Sequence, residues 1–497
     1  MKNKYKKRLL ILLFMFSGIH NSYSQGIDNI WLMGYDTWAG PPWGGIKWDF
    51  SINPVSIVYE NRKMSFRKTD ASICDKSGNM LFYTNGIWVA NSINDTMING
   101  SGFNPGFLTT QNYQDGLSIP QAALIIPFPE DSDKYYIFHE TVTNQAIGYP
   151  TEIRFSIVDM TLDNGLGGLS IKNNLLYADT IAGCELIASK HGNGRDWWLM
   201  QHKLNSDLFF TFLISPLGIT GPYYQQIGVV RQTGYQASFS MEGNKYASYN
   251  NTDDVEIFDF DRCTGLLSNH IHVSINDSMV GGGIAFSPNG RFVYASSSLY
   301  VYQFDLQSPN VAASKQTVAI WDGTFSPNPP FAATFLLMQN APDGKIYISC
   351  QNGTLVMHVI NFPDSSGLAC DLQQHSITLP AFNAFSIPNY PNYFLGCDVG
   401  SPCDSLTAVN ENVNNTIPIR INPNPAQNVF YLNYGLPYGK TAVATVYNTI
   451  GEAVMQKTLY WYFGYLQIDC RELSNGVYIV KIEAEEYGGS AKLVIAR

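Results

Sequence analysis

Between residues 75 and 361 short apolar runs alternate with tight polar turns, and the alternation repeats one phrase: turn, short strand, turn, strand. It reads "DKSGNMLFYTNGIWVAN" from Asp75, "KHGNGRDWWLMQHK" from Lys190, "SMEGNKYASY" from Ser240, "SPNGRFVYAS" from Ser287 and "APDGKIYISC" from Ala341. The turn glycines Gly78, Gly194, Gly243, Gly290 and Gly344 stand 116, 49, 47 and 54 residues apart, and "EDSDKYYIFHE" from Glu130 supplies a copy without glycine inside the double interval. A glycine after Asp, Asn or Ser accepts the positive φ of a tight hairpin, and the preceding polar side chain caps the turn. Asn352-Gly353 joins two further apolar runs, the second broken only by His358. Copies about 50 residues long, each with room for four strands, predict an all-β chain built as a β-propeller. A row of β-sandwiches would need linkers between copies, and none separates these. The copies and flanking strands predict seven blades, with six and eight as alternatives. "NIWLMGYD" near the start and "FSIPNYPNYFLG" near the end are expected to share one blade and close the ring.

The pattern changes at both ends. Lys2, Lys4, Lys6, Lys7 and Arg8 precede the apolar run Leu9 to Phe16 and the small residues around Ser22 to Ser24, the order of a secretory signal peptide over residues 1–24. The propeller is expected over 25–396. Residues 397–416 are polar, aperiodic and rich in Asn, Ser and Val, as a linker is. At "INPNPAQNVFYLNY" the two prolines forbid a helix or central strand, and short alternating strands follow to the C-terminus. They predict a small β-sandwich over 417–497.

Charged residues make up only 14% of the chain against 30 Tyr, 28 Phe and 42 Gly, which favours strands and turns over helices. Loss of residues 1–24 removes five basic side chains and no acidic ones, leaving 25 Lys and Arg against 40 Asp and Glu, a balance of −15. Such a surface repels phosphate backbones, so nucleic acid is excluded as a partner, and no transmembrane span is expected in the mature protein. Eight cysteines remain in an exported, oxidised chain. Cys397 and Cys403, in "CDVGSPC", are the pair that proximity brings together, as a disulfide or as free thiols, and Cys350 belongs to a buried strand face.

Candidate chemistry is sparse. "DNGLGG" from Asp163 lacks the Lys-Ser/Thr pair of a phosphate loop and reads as an interstrand turn. His270 and His272 place two imidazoles on one strand face without a third metal ligand nearby, so no metal is assigned. Asp253, Asp254, Asp259 and Asp261 form the densest acidic cluster; they leave a structural calcium ion open but do not match a calcium loop. His139-Glu140, His191 and His202 stand beside repeat hairpins and are candidates to gather on one face. Trp38, Trp43 and Trp48, in the Gly/Pro-rich stretch "YDTWAGPPWGGIKWDF", are candidates to stack on sugar rings, with core packing as the alternative. No nucleophile elbow or paired-carboxylate motif occurs, so no catalytic residue is assigned.

Two resemblances add to this. "SGNMLFYTNG", "DFDRCTG", "AFSPNGRFVYAS" and "SIPNYPNYFLG" resemble phrases of large exported bacterial proteins with WD40-like or YVTN-type propeller repeats, over about residues 27 to 396. Residues 417–497 resemble the type A C-terminal sorting domain of the type IX secretion system: Pro423-Asn424-Pro425-Ala426 opens it, Gly451 marks its middle turn, Leu473 to Gly476, Val477 and Tyr478 follow, and "AKLVIA" ends it. The stretch Tyr460 to Tyr465 is more aromatic than that pattern. The second resemblance implies export across both membranes with the secretion machinery as partner. The function expected is binding of a glycan or protein at the cell surface or after release; the alternatives are an extracellular enzyme acting on polysaccharide and a structural adhesin.

Overall fold

The landmark turns dictate the architecture. Their glycines take φ between +69° and +87°, and in the copy without glycine Glu130 itself adopts φ 65°. The capping side chains act as their spacing requires: Asp75 accepts from the N–H groups of Ser77 and Asn79 at 2.8 and 2.9 Å, and Ser287 from that of Phe292 at 2.9 Å. The computed structural model describes residues 26–143, 148–404, 417, 419–436, 441–459, 463–484 and 487–497. The signal peptide read at residues 1–24 and most of the linker, 405–416, lie outside these. Among the described residues, seven antiparallel sheets occupy 30–60, 71–91, 123–178, 187–231, 236–273, 283–320 and 335–384, numbered here as blades 1 to 7. Blades 1 and 2 have three strands and the rest four.

Each landmark turn joins the first two strands of blades 2 to 7, so all six turns lie on one face of the ring, the turn face. First strands such as Ala71–Cys74 and Gly283–Phe286 are buried along their whole length because neighbouring blades cover both sides; outer strands such as Gln316–Ile320 are mostly exposed. The ring closes where Trp31 and Trp48 of blade 1 pack against Tyr347 of blade 7, with ring centroids 5.9 and 5.0 Å apart. This is a seven-bladed β-propeller.

Closure departs from the expected shared sheet. Blade 1 is built from Ile30–Met33, Gly45–Asp49 and Ser56–Glu60 alone, and among the described residues no C-terminal strand pairs with it. Pro388 and Pro391 prevent the segment after Ala384 from donating a regular ladder. That segment instead threads the axis. Asn389 bonds at the far ends of the first strands: its N–H donates to Asp70 C=O (2.9 Å) and its Nδ2 to the Ala123 and Leu186 carbonyls (3.1 and 3.0 Å). Further on, Tyr393 Oη donates to Ile125 C=O at 2.8 Å and Asn392 Nδ2 to Met241 C=O, in the turn face, at 2.6 Å. Cys397 emerges against Gly194, where a Cβ would meet the Cys397 nitrogen at 2.5 Å.

The expected Cys397–Cys403 bond does not form. Cys403 is bonded to Cys263, 140 residues away in sequence, and Cys397 is a free, exposed thiol. The axial exit brings the chain over the turn after Asp261 in blade 5, so the partner comes from topology rather than proximity in sequence.

Beyond the linker two sheets face each other, one of Ile419–Asn422, Val429–Gly435 and Phe463–Asp469, the other of Ala453–Leu459, Ala442–Tyr447, Gly476–Ala484 and Tyr487–Ile495. Phe430, Leu432, Val446, Val480, Ile482 and Leu493 fill the space between them. Asn424 ties the opening loop to the last strand: Nδ2 donates to Lys492 C=O at 2.7 Å and Oδ1 accepts from Val494 N–H at 2.8 Å. Gly451 takes φ 84° in the middle turn, Gly476 opens its strand, and Tyr478 Oη donates to Ser474 C=O at 2.9 Å. The sandwich rests on blade 4 through Arg420, whose guanidinium lies 4.2 Å from the Tyr223 ring and 5.8 Å from that of Trp198. Among the described residues no helix is long and apolar enough to cross a membrane.

Candidate ligand site on the ring axis

The axial segment fills the channel only in part. Towards the turn face a cavity of about 280 Å³ remains, lined by Asp28, Ser238, Phe239, Asn340, Asn392 and Phe394 among others. It adjoins a second cavity of about 490 Å³ over blade 5, which shares Met241, Asn392 and Phe394 and adds Glu242, Asn244 and Arg262. Pro391 to Gly396 thus forms part of the wall of one groove running from the axis towards the rim. Carboxamides hold its upper end rigid: Gln121 exchanges hydrogen bonds with the Ala237 backbone across the channel (2.8 and 2.9 Å), and Gln236 with that of Met338 (2.9 and 2.7 Å).

Burial pushes the Asp28 carboxyl up to about 7. Its Oδ1 has no hydrogen-bond partner in the protein, and neither has Asn340 Oδ1, although Asn340 Nδ2 donates to Phe286 C=O at 3.1 Å. These polar atoms, with Phe239 and Phe394 beside them, suit a ligand offering hydrogen-bond donors and an apolar face.

The other face carries a buried polar cluster that lines neither cavity. Glu140 accepts from Gln201 Nε2 and from Cys184 N–H, the latter at 3.3 Å, and Glu185 pairs with Arg231 at 3.0 Å. Burial raises Glu140 to about 8 and Glu185 to about 7, and holds His139 and His202 down at about 3. For Glu140, folding binds the proton more tightly than the unfolded chain, whose ordinary value is 4.5. Its contribution to stability is therefore complete below pH 4.5 and is lost as pH rises towards 8, at about 1.4 kcal/mol per pH unit. Glu140→Gln is expected to lose less melting temperature than the parent between pH 5 and pH 8; equal losses in parallel thermal scans would contradict this assignment.

The residues singled out in the sequence scatter. Trp38 is 72% exposed and Trp43 37%, both on the 34–44 loop at the face away from the groove. Trp48 is fully buried between blades 1 and 7 and cannot stack on a ligand, which corrects its reading as a binding residue. The Trp43 ring lies tilted against that of Phe382, with centroids 5.6 Å apart. His139 and His202 are buried, whereas His191 lies in a landmark turn on the opposite face, so the three do not gather. His270 and His272 both hydrogen-bond to the buried carboxylate of Glu256 on the neighbouring strand. Asp259 pairs with Lys245 at 2.6 Å, Asp261 caps its turn, and Asp163 begins a short 3₁₀ turn between strands.

Fold and tail together define the class: an exported β-propeller carrying a C-terminal secretion address. Residues 420–496 match the family model of the secretion system C-terminal sorting domain, so the tail is the sorting domain of type IX secretion and the protein is delivered to the cell surface or secreted. No curated protein gives a significant match. Similar solved structures include a Lactobacillus plantarum protein (12% identity, TM-score 0.40, 72% of this chain and 98% of that one). A putative 6-phosphogluconolactonase from Bacteroides fragilis is 14% identical with a TM-score of 0.37, over 72% of this chain and 97% of that one. PorZ, a bacterial surface component of the type-IX secretion system of Porphyromonas gingivalis, is 11% identical with a TM-score of 0.34, over 91% of this chain and 63% of its own.

Proposed function

We propose that the protein is an exported binding module that takes a glycan, or failing that an extended protein segment, in the axial groove. The observation that carries this reading is the groove itself, where two adjoining cavities meet at Phe394 and Asn392 and two residues that carry buried unpartnered oxygens, Asp28 and Asn340, line the inner one. Binding is favoured over catalysis because among the described residues the groove's carboxyls are divided, Asp28 in the inner cavity and Glu242, Asp261 and Asp398 in the outer one, whereas glycoside hydrolysis ordinarily uses two that flank one bond. Glycan and peptide arrays probed with the full mature chain test the proposal. Phe394 is 42% exposed, so Phe394→Ala is expected to leave the fold intact while weakening the best binder about tenfold, the effect of about 1.4 kcal/mol of lost ring contact. Undiminished binding by that variant would place the site elsewhere, and silence on both arrays would end the proposal.

A further inference from the structure

Among the buried polar atoms that lack a partner, only Asp28 Oδ1 and Asn340 Oδ1 belong to residues lining either cavity of the groove. The others, such as Trp31 Nε1 and the nitrogens of His139 and His202, sit in packed regions between strands. An unpaired buried acceptor costs about 1–3 kcal/mol, and two such acceptors in one cavity wall favour a ligand that donates. Among the described residues no Lys, Arg or His lines the inner cavity, so a ligand's cation would meet no competitor from them. A bare metal ion would need several oxygen ligands, and this wall offers one carboxylate. A neutral hydroxyl alone would leave an ionised Asp28 uncompensated.

Resting on the binding proposal above, we infer that the inner cavity takes an amino sugar with a free, protonated amine: Asp28 faces the ammonium, Asn340 and Asn392 the hydroxyls, and Phe239 and Phe394 the ring face. A volume of about 280 Å³ lies at the small end of ligand sites and suits one sugar ring, with further rings extending into the adjoining cavity. The ionisable groups set against Asp28 are Cys74 of blade 2 and Tyr393 of the axial segment. Burial pushes the Cys74 thiol up to about 12 and raises the Tyr393 phenol, so both stay neutral where Asp28 titrates. Binding of the ammonium at pH 6, where the amine is mostly charged and Asp28 mostly protonated, therefore drives the Asp28 proton into solvent.

Calorimetry on the full mature chain tests this with a β-1,4-linked glucosamine trimer and its fully N-acetylated counterpart, each in two buffers of different ionisation enthalpy. At pH 6 the free-amine trimer is expected to bind at least about tenfold tighter, with net release of about three quarters of a proton. Its affinity should rise about fivefold from pH 5.5 to 6.5, where the sugar amine is still mostly charged and Asp28 begins to ionise. The isosteric Asp28→Asn should erase both the preference and the proton release, and the proton count itself needs no variant. Equal binding of the two trimers without proton release would overturn the amine assignment and leave groove binding standing. Failure of both trimers to bind would overturn the amine assignment, and with silent arrays the binding proposal too.

Discussion

Deletion of residues 417–497 is expected to leave a folded ring trapped in the periplasm. The ring's seven sheets contain no strand from this region, and the sandwich has its own core around Phe430, Val446 and Ile482. Its removal therefore takes no strand from the ring; it takes away the packing of Val429–Gly435 and Phe463–Asp469 against the outer strand Gly218–Arg231 of blade 4, and the Arg420 contact with Tyr223 and Trp198. The Arg420 contact is worth about 0.5–1 kcal/mol, and the outer strand left bare keeps its pairing with Ser206–Ser215. Location should thus change almost completely while melting of the ring barely moves. Cell fractionation and surface labelling read the first, thermal unfolding of the recovered protein the second. Normal surface display of the truncated chain would remove the sorting role of the tail. A ring that no longer folds would show that the two parts depend on each other.

Asn389→Leu is expected to be the most damaging single substitution in the ring. The side chain is 5% exposed, donates to the Ala123 and Leu186 carbonyls and accepts from Gln121 Nε2 at 3.1 Å. Leucine has similar bulk and no polar atom, so the two carbonyls lose their donor inside the channel, while Gln121 keeps its bond to Ala237. At about 1–3 kcal/mol for each orphaned group, the loss should total about 4 kcal/mol. Denaturant unfolding should show it as a lower midpoint with little change in slope. A loss below about 1 kcal/mol would mean that the axial segment is not a fixed part of the hub.

The blades are legible in the chain because their turn chemistry is local: a Gly, Asp or Ser acts within five residues, and the copies recur at a nearly constant interval. The sorting domain was readable for a similar reason, since Asn424 and Gly451 perform tasks within their own short loops. The axial groove was not. Asp28, Ser238, Asn340 and Asn392 come from separate parts of the chain and carry no motif, and what joins them is the passage of Ser386 to Gly396 down the channel. That passage was misread as a blade strand because its aromatic residues look like strand residues, although Pro388 and Pro391 already argued against a ladder. Trp48 was a recoverable error. In Gly45–Asp49 it shares a strand face with Ile46, and both are fully buried, whereas Trp38 stands in a loop outside any period. The Cys263–Cys403 bond could not be inferred, because it depends on where the axial segment leaves the ring.

The exit of the chain has a further consequence for processing. Cys403 is bonded to Cys263, and Arg420 enters the pocket bordered by Thr264, Gly265 and Leu267, so the stretch between them begins and ends on one turn of blade 5. A single cut between residues 405 and 416 would change the connectivity of the molecule without parting its pieces. The sorting domain would pass from covalent tail to noncovalent subunit, held by Arg420 between two aromatic rings and by the packing of Val429–Gly435 and Phe463–Asp469 on Gly218–Arg231. Cleavage and departure would thus be separate events, the first set by a protease and the second by whatever draws the sandwich away from blade 4.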